Sequence, residues 1–335
     1  MSYTPPPSAR PFTLHIPDQD LSDWRQLLTL SNLGPKTYKN TYINSFPNYK
    51  TTIDDIDVHF VGLFSSKKDA VPIMFLHGWP GSFIEFLPML EPVKKKWEGK
   101  ELPYQFVVPS LPGYTLSSRG PAERDWSMMD TAAVMEKLMR GLGFDKYFVQ
   151  GGDVGSMVAR VMSAMFGSVV GVHLNMFMAS AAPDPSKLSP LEQRAVENAT
   201  KWCEIGTAYA QEHGTRPSTI GHVLSSNPLA MLAWIGEKFL EWLDPATIPS
   251  LDNPHRRVPI LLHQLLPTSL YPYRASFRGP RMQVPPLTKP TGYSFFPHEL
   301  FPGGGHFAAL EKPAELWGDV EEFVGTVLNG KGGKL

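Results

Sequence analysis

Three short runs hold side chains able to attack, stabilise and deprotonate. Gly151-Gly152-Asp153-Val154-Gly155 follows the apolar run Tyr147-Phe148-Val149 and opens a helical segment. Small residues around Asp153 allow a sharp strand-to-helix turn that lifts its carboxylate above a sheet. This is a nucleophile elbow with Asp in place of the common Ser, and the chain has no Gly-x-Ser-x-Gly to compete with it. His77-Gly78-Trp79-Pro80-Gly81-Ser82 directly follows the apolar run Val71–Leu76. Its glycines let the backbone turn, so the amides of Trp79 and Val154 are the pair expected to form an oxyanion hole. Gly304-Gly305-His306-Phe307 comes late, just before the last helical pattern. A general base belongs there in the order nucleophile, acid, His, and Glu299 after Gly292–Phe296 could orient it. Each run also has an ordinary reading: a helix-capping Asp, a Gly-Pro turn, a structural His and a solvated Glu.

Such groups need a sheet with helices beside it. Ile56–Leu63 alternates like a strand, and Val71–Leu76, Gln105–Val108, Tyr147–Gln150 and Gly171–Ala179 read as short buried strands. Helical patterns span Asp130–Leu142 and Ser156–Phe166, and Ser22–Leu30 reads as a helix with Ser22 as its cap. Strands alternating with helices imply βα units and a parallel sheet. Residues 186–245 then read as mostly helical, before strand character near Gly292–Phe296 and a final amphipathic helix over Pro313–Leu328.

Composition narrows the function. With 31 basic and 32 acidic residues the net charge is −1, which gives no electrostatic footprint for nucleic acid or an anionic membrane. Cys203 has no partner, which excludes a disulfide framework and a Cys-rich zinc site. No His-Glu-x-x-His and no dinucleotide or phosphate-binding loop occurs, so neither a metal nor an organic cofactor is expected. The start, Met-Ser-Tyr-Thr-Pro-Pro-Pro, is unlike a signal peptide, and no run reaches the ~18 apolar residues of a membrane span. A soluble cytoplasmic protein is expected. Gly333-Lys334-Leu335 is similar to a peroxisomal address and equally reads as a frayed tail.

Taken together, these motifs resemble the epoxide hydrolases of the microsomal type, especially their soluble fungal members. Thr215-Arg216-Pro217-Ser218-Thr219-Ile220-Gly221 and Phe295-Phe296-Pro297-His298-Glu299-Leu300 add to the match, as does the continuation of the His run, Ala308-Ala309-Leu310. The likeness covers most of residues 50–243 and 271–328. It implies an α/β-hydrolase fold with an N-terminal extension over 1–65, core over 66–185 and 276–335, and a helical lid over 186–275. It further implies that Asp153 is the nucleophile, His306 the base and Glu299 its acidic partner. Two lid tyrosines, Tyr209 and Tyr273, would polarise the epoxide oxygen, although tyrosines in a Trp-rich helical segment also serve as packing.

The residue types suit that chemistry. A carboxylate attacks carbon while neutral phenols, of pKa ~10, hydrogen-bond the departing oxygen. Water activated by the His then hydrolyses the ester, and a vicinal diol leaves. Trp79, Tyr114 and the aromatic lid suggest an apolar or aryl epoxide, with water as co-substrate; a homodimer is compatible with all of this. Against the family pattern, the segment between Tyr38 and Asn44 is short and Leu251–Pro267 does not match. The acid-to-His segment is also short. Seven steps of ~3.5 Å reach at most ~24 Å, too little to descend a sheet and return. The last family strand is therefore expected to be missing or replaced, with His306 displaced from the nucleophile. Two rival readings remain: an Asp-nucleophile dehalogenase, which would typically carry Trp or Arg at the Val154 position, and a catalytically dead hydrolase-like protein that binds an apolar ligand.

Overall fold

The apolar runs pair into one eight-stranded sheet. The structure, a computed structural model, describes residues 6, 8–15, 17–30, 41–121, 123–177, 184–244, 266–278, 286–296 and 305–330. Its strands are β1 Arg10–Phe12, β2 Asn48–Ile53, β3 Ile56–Leu63, β4 Val71–Leu76, β5 Tyr104–Pro109, β6 Tyr147–Gly151, β7 Val169–Leu174 and β8 Thr291–Tyr293. They lie in the order β1-β2-β3-β5-β4-β6-β7-β8. The first three strands pair antiparallel and β3 meets β5 antiparallel, while β5, β4, β6, β7 and β8 run parallel. Helices cover both faces of such a parallel block, so its strands are apolar throughout. Every residue of β6 is buried, as is all of β4 beyond Val71.

Two helices lead into the sheet: α1 Asp18–Leu30 and α2 Thr41–Asn44. Around it lie α3 Leu87–Lys96, α4 Met128–Gly141 and α5 Asp153–Met165. Ser127 starts α4 with a reciprocal capping box, its hydroxyl on the Asp130 amide and the Asp130 carboxylate on its own. Helix α5 faces the core with Val154, Val158, Val161 and Met162. Between β7 and β8 come α6 Pro190–Lys201, α7 Ala208–Thr215, α8 Pro217–Ser226, α9 Pro228–Trp242, α10 Leu266–Ser269 and α11 Pro272–Arg278. In this group α7 packs on α11 and α8 on α10. The chain closes with α12 Ala308–Glu311 and α13 Pro313–Gly330, which buries the stripe Leu316, Val320, Val324 and Val327.

Some boundaries differ from the sequence reading. Helix α1 begins at Asp18, because the Pro17 carbonyl accepts the Leu21 amide, so Ser22 lies inside the helix and is not its cap. Strand β7 stops at Leu174 because its partner β6 ends at Gly151, where the chain turns into α5. The same limit shortens β8 to Thr291–Tyr293, with Ser294 still bonded to the Leu174 carbonyl. Strands β1 and β2 were unforeseen. Among the described residues no strand follows β8, and no helix is long and apolar enough to cross a membrane. Residues 38–40, most of Leu251–Pro267, and Gly333-Lys334-Leu335 fall outside the described residues.

The register sets the site. Strand β4 lies between β5 and β6, where the strand order reverses, and ligands in open α/β sheets bind at the carboxyl ends beside such a switch. Leu76 pairs with Gly151, so the loops leaving β4 and β6 emerge side by side.

Candidate active site

Asp153 begins α5 with φ +48°, in the left-handed region. An L residue there stores about 1–3 kcal/mol of strain, which the surrounding packing must hold. That packing is close: a Cβ on Gly155 would lie 2.1 Å from the Leu76 carbonyl oxygen, and one on Gly78 would lie 2.2 Å from Asp153 Oδ1. Glycine at both positions lets the β4 loop touch the elbow.

The two carboxylate oxygens of Asp153 have different partners. Oδ1 accepts the Trp79 amide at 2.7 Å, while Oδ2 lies 3.6 Å from His306 Nε2. One oxygen is held by backbone and the other faces an imidazole, so the second is the one placed to attack. Val154, buried, follows in the first turn of α5.

The expected displacement of His306 is corrected here. A trip down the sheet and back is not what the strand ends require. Parallel strands all end at one edge, so a chain leaving β8 needs only to cross β7 to reach β6. Two strand spacings are about 10 Å, well inside the available reach. Residues 297–304, Glu299 and Gly304 among them, lie outside the described residues. Beyond them the His306 amide donates to the Trp242 carbonyl at 3.2 Å, and the His306 ring lies 5.0 Å from the Trp242 ring. Buried Glu311 fixes the same loop, because Oε1 accepts the Phe307 amide at 3.1 Å and Oε2 the Asp244 amide at 2.7 Å.

Above the carboxylate stands an aromatic roof. Tyr209, on α7, stacks on Trp79 with ring centroids 5.1 Å apart and planes 12° from parallel. Tyr273, on α11, meets the Trp79 edge at 6.1 Å and is hydrogen-bonded to Tyr209 through its side chain. Burial, and then the Asp153 charge, raises the Tyr209 phenol above its usual range. Burial, Tyr209 and Asp153 do the same for Tyr273. Both stay neutral and can donate protons or hydrogen bonds.

Several further residues close the site. The buried Tyr114 hydroxyl has no hydrogen-bond partner among the described residues, and burial with the Asp153 charge raises it too. His213 sits edge-on to Trp79 at 4.5 Å and accepts Trp234 Nε1 at 3.0 Å. Burial, then Lys238, lowers its pKa to about 3, so it is neutral. The Lys238 ammonium lies 4.8 Å from the Tyr209 ring centre. Glu85, in the turn Phe83–Phe86, is buried beside Asp153 and His306. Of these, only Tyr114 was singled out from sequence, as an aromatic near the substrate. The others depend on burial that their neighbours in sequence do not reveal. Among the described residues no three metal-ligating side chains cluster.

This arrangement holds the groups that forming and hydrolysing an ester on a carboxylate would need, and relatives of the chain carry the name epoxide hydrolase. Residues 36–86 match the family model for the epoxide hydrolase N terminus, and residues 71–202 match that of the alpha/beta hydrolase fold. The solved structure of Aspergillus niger epoxide hydrolase is 38% identical, covering 97% of this chain and 99% of its own, with a TM-score of 0.87. The chain belongs to the epoxide hydrolase family. A Dothistroma septosporum relative, provisionally named an epoxide hydrolase, is 35% identical over 94% of this chain and 89% of its own length. The juvenile hormone epoxide hydrolase of Bombyx mori, 23% identical, shares the fold over 97% of this chain and 96% of its own at a TM-score of 0.84. The α/β-hydrolase fold of this epoxide hydrolase family member is thus established independently of its motifs.

Proposed function

We propose that the protein adds water to an apolar or aryl epoxide, giving a vicinal diol through a covalent ester on Asp153. One observation carries the reading: a carboxylate with one oxygen on a backbone amide and the other toward an imidazole, beneath two hydrogen-bonded phenols. Asp153 Oδ2 attacks an epoxide carbon while Tyr209 and Tyr273 donate to the ring oxygen, and the carbon–oxygen bond opens. His306, with Glu299 as its acidic partner, then takes a proton from water as the water oxygen bonds to the ester carbon. The oxyanion forms on Oδ1, where Trp79 and Val154 supply amides. On collapse the leaving oxygen takes the proton from His306, and the second water proton passes from the Asp153 carboxyl to the oxygen released on ring opening, or to the phenolate that protonated it, which restores the carboxylate. Trp79, Tyr114 and Trp242 give the site its apolar surroundings. Residues 186–275 act as the lid.

Single turnover of styrene oxide in heavy-oxygen water tests this directly. Label should appear in the Asp153 side chain; label confined to the diol would replace the ester mechanism with direct attack by water. We further propose that the enzyme works in the cytoplasm, alone or as a homodimer, without nucleic acid. Fractionation of cells and sedimentation of the purified chain check those points.

A further inference from the structure

Behind the Asp153 carboxylate lies a chamber of about 10 Å³, bounded by Asp153, His306, Glu85, Gly81 and Asn175 among others. That volume accommodates the centre of about one water molecule. Glu85 is 8% exposed, and its turn is capped by Ser82, whose hydroxyl accepts the Ile84 amide. The Ser82 amide in turn donates to Glu85. The position of the carboxyl is tightly set, because a Cβ on Gly81 would lie 2.2 Å from Glu85 Oε2. The sequence therefore keeps glycine where any side chain would push this carboxyl away.

We infer that Glu85 positions the hydrolytic water, in the chamber it shares with Asp153 and His306, for attack on the Asp153 ester. The inference rests on the ester mechanism above. One water hydrogen goes to His306 Nε2 as the water oxygen bonds to the ester carbon. The other hydrogen is held by a Glu85 carboxyl oxygen and stays on the water oxygen, which becomes part of the regenerated Asp153 carboxyl. Glu85 itself is neither consumed nor oxidised.

The electrostatics fit a role confined to the second step. Burial pushes the Glu85 pKa up to about 8; His306 opposes the rise and the Asp153 charge adds to it. While Asp153 is anionic, Glu85 is thus mainly protonated near neutrality, and the nucleophile faces no second anion. Esterification removes the Asp153 charge and with it one cause of the rise. A carboxyl oxygen can accept from water in either state.

The test separates the two half-reactions. Glu85→Gln keeps the volume, but the Ser82 amide takes its single acceptor oxygen, so the group left for the water is an NH2 that cannot accept a hydrogen. In single turnover of styrene oxide, followed by intact-protein mass, ester formation should change less than about threefold. Ester hydrolysis should slow by about 10- to 100-fold, so that ester accumulates. Gly81→Ala, which displaces the carboxyl without altering it, should give the same selective delay, and Glu85→Asp should recover part of the rate. Unchanged hydrolysis in both Glu85→Gln and Gly81→Ala would overturn the inference, as would equal slowing of both steps. If Glu85→Gln melts far below the wild type, Gly81→Ala decides alone. Absence of ester in the wild type would instead sink the underlying mechanism.

Discussion

The two halves of the site are built by different means. On the sheet side, strand register and close glycine contacts place Asp153 and Trp79, since Leu76 pairs with Gly151 and Gly155 meets the Leu76 carbonyl. On the lid side, Tyr209 and Tyr273 are held by stacked and edge-on rings around Trp79 and by their mutual hydrogen bond. Backbone geometry accepts few residue types at each position. Aromatic packing accepts many. Asp153 and Trp79 thus sit where backbone contacts fix their placement, and Tyr209 and Tyr273 where ring packing does.

Four changes probe this contrast, from the largest effect to the smallest. Asp153→Asn removes the attacking oxygen but keeps a residue tolerant of positive φ, so folding should survive. Diol turnover should fall by at least ~10⁴-fold with the melting temperature nearly unchanged. Replacing both Tyr209 and Tyr273 by Phe leaves every ring contact in place. It should slow ring opening by about 10²-fold, seen as slower ester formation; near-normal turnover would strip the lid half of a chemical role. Glu311→Ala leaves the amides of Phe307 and Asp244 without their carboxylate and should destabilise by about 1–3 kcal/mol, read as a lower denaturant midpoint. The same midpoint in the variant would mean that the base loop is held by Trp242 alone.

The smallest effect concerns the sheet side far from the roof. His59 is fully buried between Ser110 Oγ and Asn48 Oδ1, each at 2.9 Å. Asn48 Nδ2 donates to the Ile43 and Phe46 carbonyls, so its oxygen accepts from His59 Nε2–H, and neutral Nδ1 accepts from Ser110. Burial, and then Lys50, lowers its pKa from 6.5 to about 3. The folded value lies below the unfolded one, so the stabilisation is complete above pH 6.5 and is lost as pH falls toward about 3. Denaturant midpoints should drop across that window, less steeply in His59→Gln. Equal slopes for the two proteins would assign the acid sensitivity to other groups.

The same contrast explains what could be read in advance. Strand β4, the Asp153 elbow and the His77–Ser82 loop were legible because each demands small or apolar residues at fixed steps. Tyr209 and Tyr273 emerged only through likeness to the family, since nothing local separates them from the other tyrosines. Glu85 stands among Phe83, Ile84 and Phe86, and its burial depends on contacts across the fold. Strand β2, Asn-Tyr-Lys-Thr-Thr-Ile, lacks the apolar run that marks the central strands. The place of His306 beside Asp153 could not be read from chain length, because reach along a sheet says nothing of how close neighbouring strand ends lie.

The anchoring of the base loop has a mechanical consequence. His306 is bonded to the Trp242 carbonyl at the end of α9, and Glu311 also grips Asp244 just beyond it. A swing of α9 away from the sheet would pull these bonds apart and carry off the support of His306. Traffic of substrate and diol is therefore expected to avoid that hinge and to use gaps that leave α9 at rest. Helix α9 and the loop that carries His306 are thus tied at one point and must move or stay together.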